Sequence, residues 1–103
     1  MIYRVEITHS ALSAIQTRID FYRSEKVSEI TLSQWMQGLF DRISSLQNVP
    51  EAYPVAEKVS QHKAQTIRRM NHRELAIYDR VKTDQHLVEI LAIRNGRQRP
   101  GPI

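Results

Sequence analysis

Residues 86–94 read His-Leu-Val-Glu-Ile-Leu-Ala-Ile-Arg, apolar on nearly both faces of an extended strand. A strand of that kind has to be covered on both faces, which puts it at the centre of a sheet. Two further strand candidates precede it in close order, at residues 63–70 and 74–82. The joins between them, Asn71-His72-Arg73 and Thr83-Asp84-Gln85, are short enough for hairpins, and Asn71 and Asp84 suit the positive φ such turns use. The C-terminal half therefore predicts three consecutive antiparallel strands.

The N-terminal half has a different rhythm. Residues 2–8 alternate, with Val5 and Ile7 apolar against Arg4 and Glu6, and predict one strand. Ser10 is a candidate helix N-cap, and Leu12, Ile15, Ile19 and Tyr22 behind it form a helical stripe that runs to about Lys26. Ser28 can cap a second helix with the stripe Leu32, Trp35 or Met36, Leu39, Phe40, Ile43 and Leu46, which stops before Pro50. A join of so few residues predicts an antiparallel helical hairpin. Residues 49–62, with Pro50 and Pro54, read as mostly irregular, and residues 96–103 as a loosely ordered tail.

A chain of 103 residues supports one domain, 1–103, around one core. The expected fold is α+β in the order βααβββ. The helical hairpin packs on one face of a small, mainly antiparallel sheet whose centre is formed by the last and first strands.

Charge is informative in its placement. Residues 61–103 hold nine Lys/Arg against four acids, a net of +5, whereas residues 1–60 come to −1. A field concentrated in one half raises the local concentration of polyanions or acidic proteins. No run of about 18 uncharged apolar residues is present, which predicts no membrane span. The strand-like start lacks a signal peptide's apolar centre, so a cytoplasmic protein is expected.

The inventory of reactive side chains is thin. There is no cysteine, and the four histidines, His9, His62, His72 and His86, include no pair at i, i+4 metal spacing. Three glycines, one of them (Gly38) inside a helix, cannot build a phosphate-cradling loop. No catalytic residue, metal or cofactor is expected. The arginines are the candidates, because a planar guanidinium grips carboxylate or phosphate at two points. Arg68 and Arg69 are consecutive on a strand and so face opposite ways, while Arg94, Arg97 and Arg99 cluster where the last strand ends. These five are the expected target-binding residues.

The order of elements and several strings together resemble the RelE/ParE superfamily of bacterial type II toxins over nearly the whole chain. The strings are His9-Ser10-Ala11 after the first strand, and the Trp35 helix leading to Ile43-Ser44-Ser45-Leu46-Gln47-Asn48-Val49-Pro50. Ile67-Arg68-Arg69-Met70 and Ile77-Tyr78-Asp79-Arg80-Val81 follow, and Val88 to Arg97 completes the set. The resemblance implies a first strand paired parallel with the last. It also implies one of two activities: RelE-like members are ribosome-dependent mRNA endonucleases using Lys, Arg and a C-terminal Tyr, whereas ParE-like members inhibit DNA gyrase. The position of a RelE-like catalytic arginine falls on Ala76, and that of a second on Gln98 or, with a one-residue shift, on Arg97 or Arg99; no tyrosine follows Tyr78. Losing such groups removes about 10²–10⁴ in rate each. The departures therefore point to the ParE-like branch. What this implies is a plasmid-stabilising toxin that binds DNA gyrase without catalysis and forms a hetero-oligomer with a cognate antitoxin. A RelE-like nuclease acting on mRNA at the ribosome is the alternative.

Overall fold

The computed structural model describes residues 2–63 and 65–97. The strands are β1 (Arg4–Ile7), β2 (Arg68–His72), β3 (Leu75–Lys82) and β4 (Leu87–Asn95), and the helices α1 (His9–Ser24), α2 (Glu29–Ser44) and α3 (Glu57–Lys63). The fold is α+β, with four strands in the order β1-β4-β3-β2. β1 pairs parallel with β4, and the other two pairings are antiparallel. The centre of the sheet is β4 with β3, not β4 with β1. Five consecutive residues of β3, Leu75 to Asp79, are buried, whereas β1 exposes Arg4 and Glu6, as an edge strand does.

α1 and α2 cover one face, as expected. Their buried residues are Ala11, Ile15 and Ile19 from α1 and Leu32, Trp35, Leu39 and Ile43 from α2. They meet Met70, Ile77, Val88 and Ile90 from the sheet. The α1 stripe keeps Ile15, Ile19 and Tyr22 but starts one position earlier than expected, with Ala11 buried and Leu12 half-exposed. Trp35, rather than Met36, takes the fully packed place in α2.

The first cap is Thr8, not Ser10. Thr8 is the last extended residue (φ −65°, ψ 160°), and its hydroxyl accepts from the Ala11 N–H at 3.3 Å. The same hydroxyl donates to the Ile90 carbonyl at 2.8 Å, so one side chain starts the helix and ties it to β4. Thr8→Ala is expected to lower stability by about 1–2 kcal/mol, and Ser10→Ala by under about 0.5 kcal/mol, in urea denaturation. Ser28 caps α2 as expected, accepting from the Thr31 N–H at 3.2 Å.

The expected irregular stretch contains a helix. Residues 57–63 form α3, whose Val59 is buried with Ile67, Ala76, Tyr78 and Ala92. Ala76 and Tyr78 alternate with Leu75 and Ile77, so this cluster lies on the sheet face opposite α1 and α2. Because the chain is helical through Lys63, β2 starts at Arg68, later than the expected 63. Ser60 holds the junction, donating to the Ile67 carbonyl at 3.0 Å and accepting from its N–H at 2.9 Å.

The turn residues also differ from expectation. Asn71 lies within β2 and Asp84 in a 3₁₀ turn, and the positive φ falls on Arg73 (53°), His86 (49°) and Lys26 (60°). Pairing of His72 with Leu75 leaves only Arg73 and Glu74 to make the β2–β3 turn. On the helix face, the His72 ring packs beside Gly38 of α2, 3.6 Å from where a Cβ would lie, an ordinary contact distance.

β4 carries a bulge. Tyr78 pairs with Ala92 and Asp79 with Ile90, leaving Leu91 unmatched. Leu91 and Ala92 both pack on the α3 side, while Ile90 and Ile93 both reach the helical hairpin. β4 reads as apolar on both faces because both are covered, one by the helical hairpin and the other by the cluster around Val59. On β3, which is regular there, Asp79 follows Leu75 and Ile77 toward the hairpin and is fully buried, with neither carboxylate oxygen hydrogen-bonded. Among the described residues no helix is long and apolar enough to cross a membrane.

Candidate functional site

The far ends of β2 and β4 and the outer side of α1 enclose an open cleft of about 650 Å³. Gly96 lets its walls meet. The Gly96 N–H donates to the Glu74 carbonyl at 2.7 Å, and a Cβ on Gly96 would lie 3.2 Å from that same oxygen and 3.5 Å from Arg69 Nη2. A larger residue there would need the Glu74 carbonyl to give by a few tenths of an ångström.

Arg18, Arg69, Arg73 and Arg97 line this cleft together with Glu74. They are held very differently. Arg69 is fixed on three sides: Nε donates to Asn71 Oδ1 at 2.9 Å, Nη1 to the Tyr78 hydroxyl at 3.3 Å and Nη2 to the Gly96 carbonyl at 3.0 Å. Its guanidinium also lies 5.7 Å from the centre of the Tyr78 ring. Arg18 lies 6.0 Å from the Tyr22 ring centre and acts electrostatically on Glu74. Arg73 and Arg97 are exposed, and their side chains make no hydrogen bond or ion pair among the described residues. Arg73 also sits in the left-handed region, a strained place for a residue with a side chain and one often found at functional sites. The cleft thus combines a rigid cationic floor with two exposed cations at its rim.

Among the described residues that line the cleft, Glu74 is the one acidic residue. Burial opposes its ionisation. Hydrogen bonds from Tyr22 and its own backbone, the nearby Trp35 indole and the Arg18 charge outweigh that and hold it below the usual carboxylate range. The Trp35 Nε1 is buried and has no partner within normal hydrogen-bond geometry. Tyr22 donates its hydroxyl hydrogen bond to Glu74 and packs edge-on against Trp35, with ring centres 5.3 Å apart. Burial first, then the bond to Glu74 and its charge, push the Tyr22 pKa up, against an opposing effect of Arg18. Glu74 therefore stays ionised and Tyr22 protonated at neutral pH.

An apolar groove of about 400 Å³ adjoins the cleft, lined by Ala14, Phe21, Leu75 and Ile93 and sharing Arg18 and Asn95 with it. Phe21 is 49% exposed, a large apolar surface to leave in water at the mouth of a basic cleft.

The five arginines expected from sequence are not together. Arg97 and Arg69 line the cleft, and Arg94 lines the adjoining groove. Arg68 is elsewhere: it donates to the Tyr53 carbonyl at 2.9 Å and pairs with Glu51 at 3.5 Å, bracing the 51–54 loop against β2. Arg99 lies outside the described residues. Arg18 and Arg73 were not expected. The sequence did hold a signal for Arg18, since Ala14, Arg18 and Phe21 form a stripe beside the buried one on α1. At the opposite end of the sheet the basic residues are neutralised internally. Arg80 and Lys82 pair with Glu89 at 2.7 and 3.2 Å, and Arg80 also bonds Gln65 at 2.8 Å. Among the described residues no three His, Cys, Asp or Glu side chains gather as a metal site would need. The chain matches no protein-family model, and no match is found for it among curated proteins.

Proposed function

We propose that the protein is a ParE-like toxin of a type II toxin–antitoxin pair that acts in the cytoplasm by binding and inhibiting DNA gyrase. The observation that carries this reading is the arginine cleft, with Arg73 and Arg97 exposed at its rim and without a side-chain hydrogen bond or ion pair among the described residues. Exposed guanidinium groups beside an apolar groove suit a protein partner with acidic side chains and apolar anchors. The parallel β1–β4 pairing is the one the resemblance implies, and the element order follows it apart from the added α3.

Two observations favour binding over RNA cleavage. The position where the resemblance puts a RelE-like catalytic arginine is Ala76, buried in the cluster that Val59 of α3 completes. Tyr78 is only 2% exposed and accepts from Arg69, so its hydroxyl is poorly placed to donate a proton to a substrate. The cognate antitoxin would be an acidic, amphipathic segment that folds onto the groove and cleft, giving a hetero-oligomer.

Purified protein is expected to block supercoiling by gyrase and to leave mRNA intact in a translating extract. Ribosome-dependent cleavage with unaffected supercoiling would move the protein to the RelE-like branch. Neither effect, from protein shown to be folded, would remove the toxin reading altogether.

A further inference from the structure

We propose that the open edge of β1 is a self-association surface, where a second copy of this chain adds its own β1 antiparallel about a twofold axis through Val5. The inference is independent of the toxin reading and uses no part of the arginine cleft.

The two edges of the sheet differ. At β2 the outward backbone groups are taken. The Arg69 N–H donates to the Pro54 carbonyl at 3.0 Å, and the Ile67 carbonyl, just before the strand, accepts from the Ala56 N–H at 2.7 Å. The Asn71 carbonyl accepts from Arg42 Nη2 at 3.2 Å. At β1, Arg4 and Thr8 donate inward, to the His86 and Ile90 carbonyls at 2.8 and 3.1 Å. Successive residues of a strand turn their N–H and C=O groups to alternate sides, so those of Tyr3, Val5 and Ile7 point outward. The Tyr3 N–H donates to the Gln47 carbonyl at 2.9 Å, whereas the Val5 and Ile7 backbones have no outward partner among the described residues. An edge left in this state is a template for another strand.

The side chains select the occupant and its register. Outward groups have to meet outward groups. With Tyr3 engaged by Gln47 and α1 starting at His9, two antiparallel self-pairings remain, one centred on Val5 and one on Glu6. The first sets Arg4 of each copy opposite Glu6 of the other, and the second sets Glu6 against Glu6. Val5 and Ile7 pack toward the helical hairpin, so Arg4 and Glu6 share the opposite face. Both are more than half exposed and already pair with each other at 2.9 Å. Apolar side chains flank the edge: Ile2 and Val49 are exposed near its Tyr3 end, and Leu12, in the first turn of α1, follows its Ile7 end. Antiparallel pairing about a twofold brings opposite ends together, so each copy offers the other an apolar neighbour.

The test is sedimentation equilibrium of the purified chain over about a hundredfold range of concentration, which is expected to show a reversible monomer–dimer mixture. Arg4→Glu leaves only acidic groups around the axis and is expected to weaken the dimer by about tenfold or more, and Glu6→Arg, leaving only basic ones, does the same. The variant carrying both reversals opposes the charges again, the other way round, and is expected to restore the dimer. Reversals at positions this exposed spare the fold. Val5→Pro removes the outward N–H, keeps the β1–β4 bonds and is expected to give a monomer. A wild-type chain that stays monomeric throughout overturns the proposal. So does a dimer indifferent to the single reversals, or one that the combined variant fails to recover. Should Val5→Pro not fold, the charge series decides.

Discussion

Asp79→Asn is expected to gain about 3 kcal/mol of stability relative to wild type as the pH is raised from 5 to 8. Asp79 is fully buried between Ile77 and Val81 on β3, and neither of its oxygens has a partner. Burial pushes its carboxyl up from 3.8 to about 7, and the charge of Arg68 across the strand pair only partly opposes this. A folded-state pKa above the unfolded one means that the stabilisation is complete below about pH 4. It is lost progressively as the pH rises through 7, up to about 4 kcal/mol in all. Asparagine cannot ionise, so its variant does not follow that decline.

His72 acts in the opposite sense. Burial, then the charges of Arg73 and Arg42, hold it below its usual value against the pull of Glu74, so it costs stability as the pH falls below 6.5. The difference between variant and wild type isolates Asp79, where the wild-type curve alone does not. Urea denaturation at pH 5, 6.5 and 8 makes the measurement, and a difference that is flat across this range would mean that Asp79 finds a partner on ionisation. Arg68→Met removes the one nearby charge that favours the carboxylate, and is expected to move the midpoint further up.

The second large effect concerns the rim of the cleft. Arg73→Ala with Arg97→Ala is expected to leave stability within about 0.5 kcal/mol per site, since neither side chain is hydrogen-bonded within the described fold. Interfacial arginines commonly contribute about 1–2 kcal/mol each or more, so target affinity should fall about 30- to 1000-fold and growth arrest on induction should disappear. Arg69→Ala makes the contrast. It removes the partner of the part-buried Tyr78 hydroxyl and Gly96 carbonyl, and is expected to cost about 2–3 kcal/mol of stability. Loss of toxicity in that variant reports on the scaffold. Growth arrest by the double variant at wild-type strength, with matched protein levels, would show the rim to be a solvated surface.

Much of the fold was legible because it is written in neighbouring residues. The apolar run of β4 marked a central strand, the stripe from Leu32 to Leu46 and the Ser28 cap marked α2, and the short joins forced hairpins. Such signals depend on periodicity and on side chains reaching their own backbone, and so survive without tertiary context. α3 was missed because a helix of seven residues with Val59 as its one apolar residue has no stripe to read. The Asp79 position was readable in part: alternation with Leu75 and Ile77 aims it at the hairpin, although its isolation there depends on Arg68 being engaged by Tyr53 and Glu51.

What the sequence determined by itself, then, is the α+β class, the helical hairpin, the three consecutive C-terminal strands and the basic bias of the second half. What only the tertiary structure decided is which strand lies at the edge, which residue takes each positive φ, and which arginines share a cleft. Arg18 comes from α1, Arg73 from a turn and Arg97 from the end of β4, and no local pattern links them. They meet because the register of His72 with Leu75 and of Leu75 with Asn95 brings the turn beside the end of β4, against α1. Register is set by burying whole faces of the sheet at once, which is a property of the packed chain and not of any segment within it.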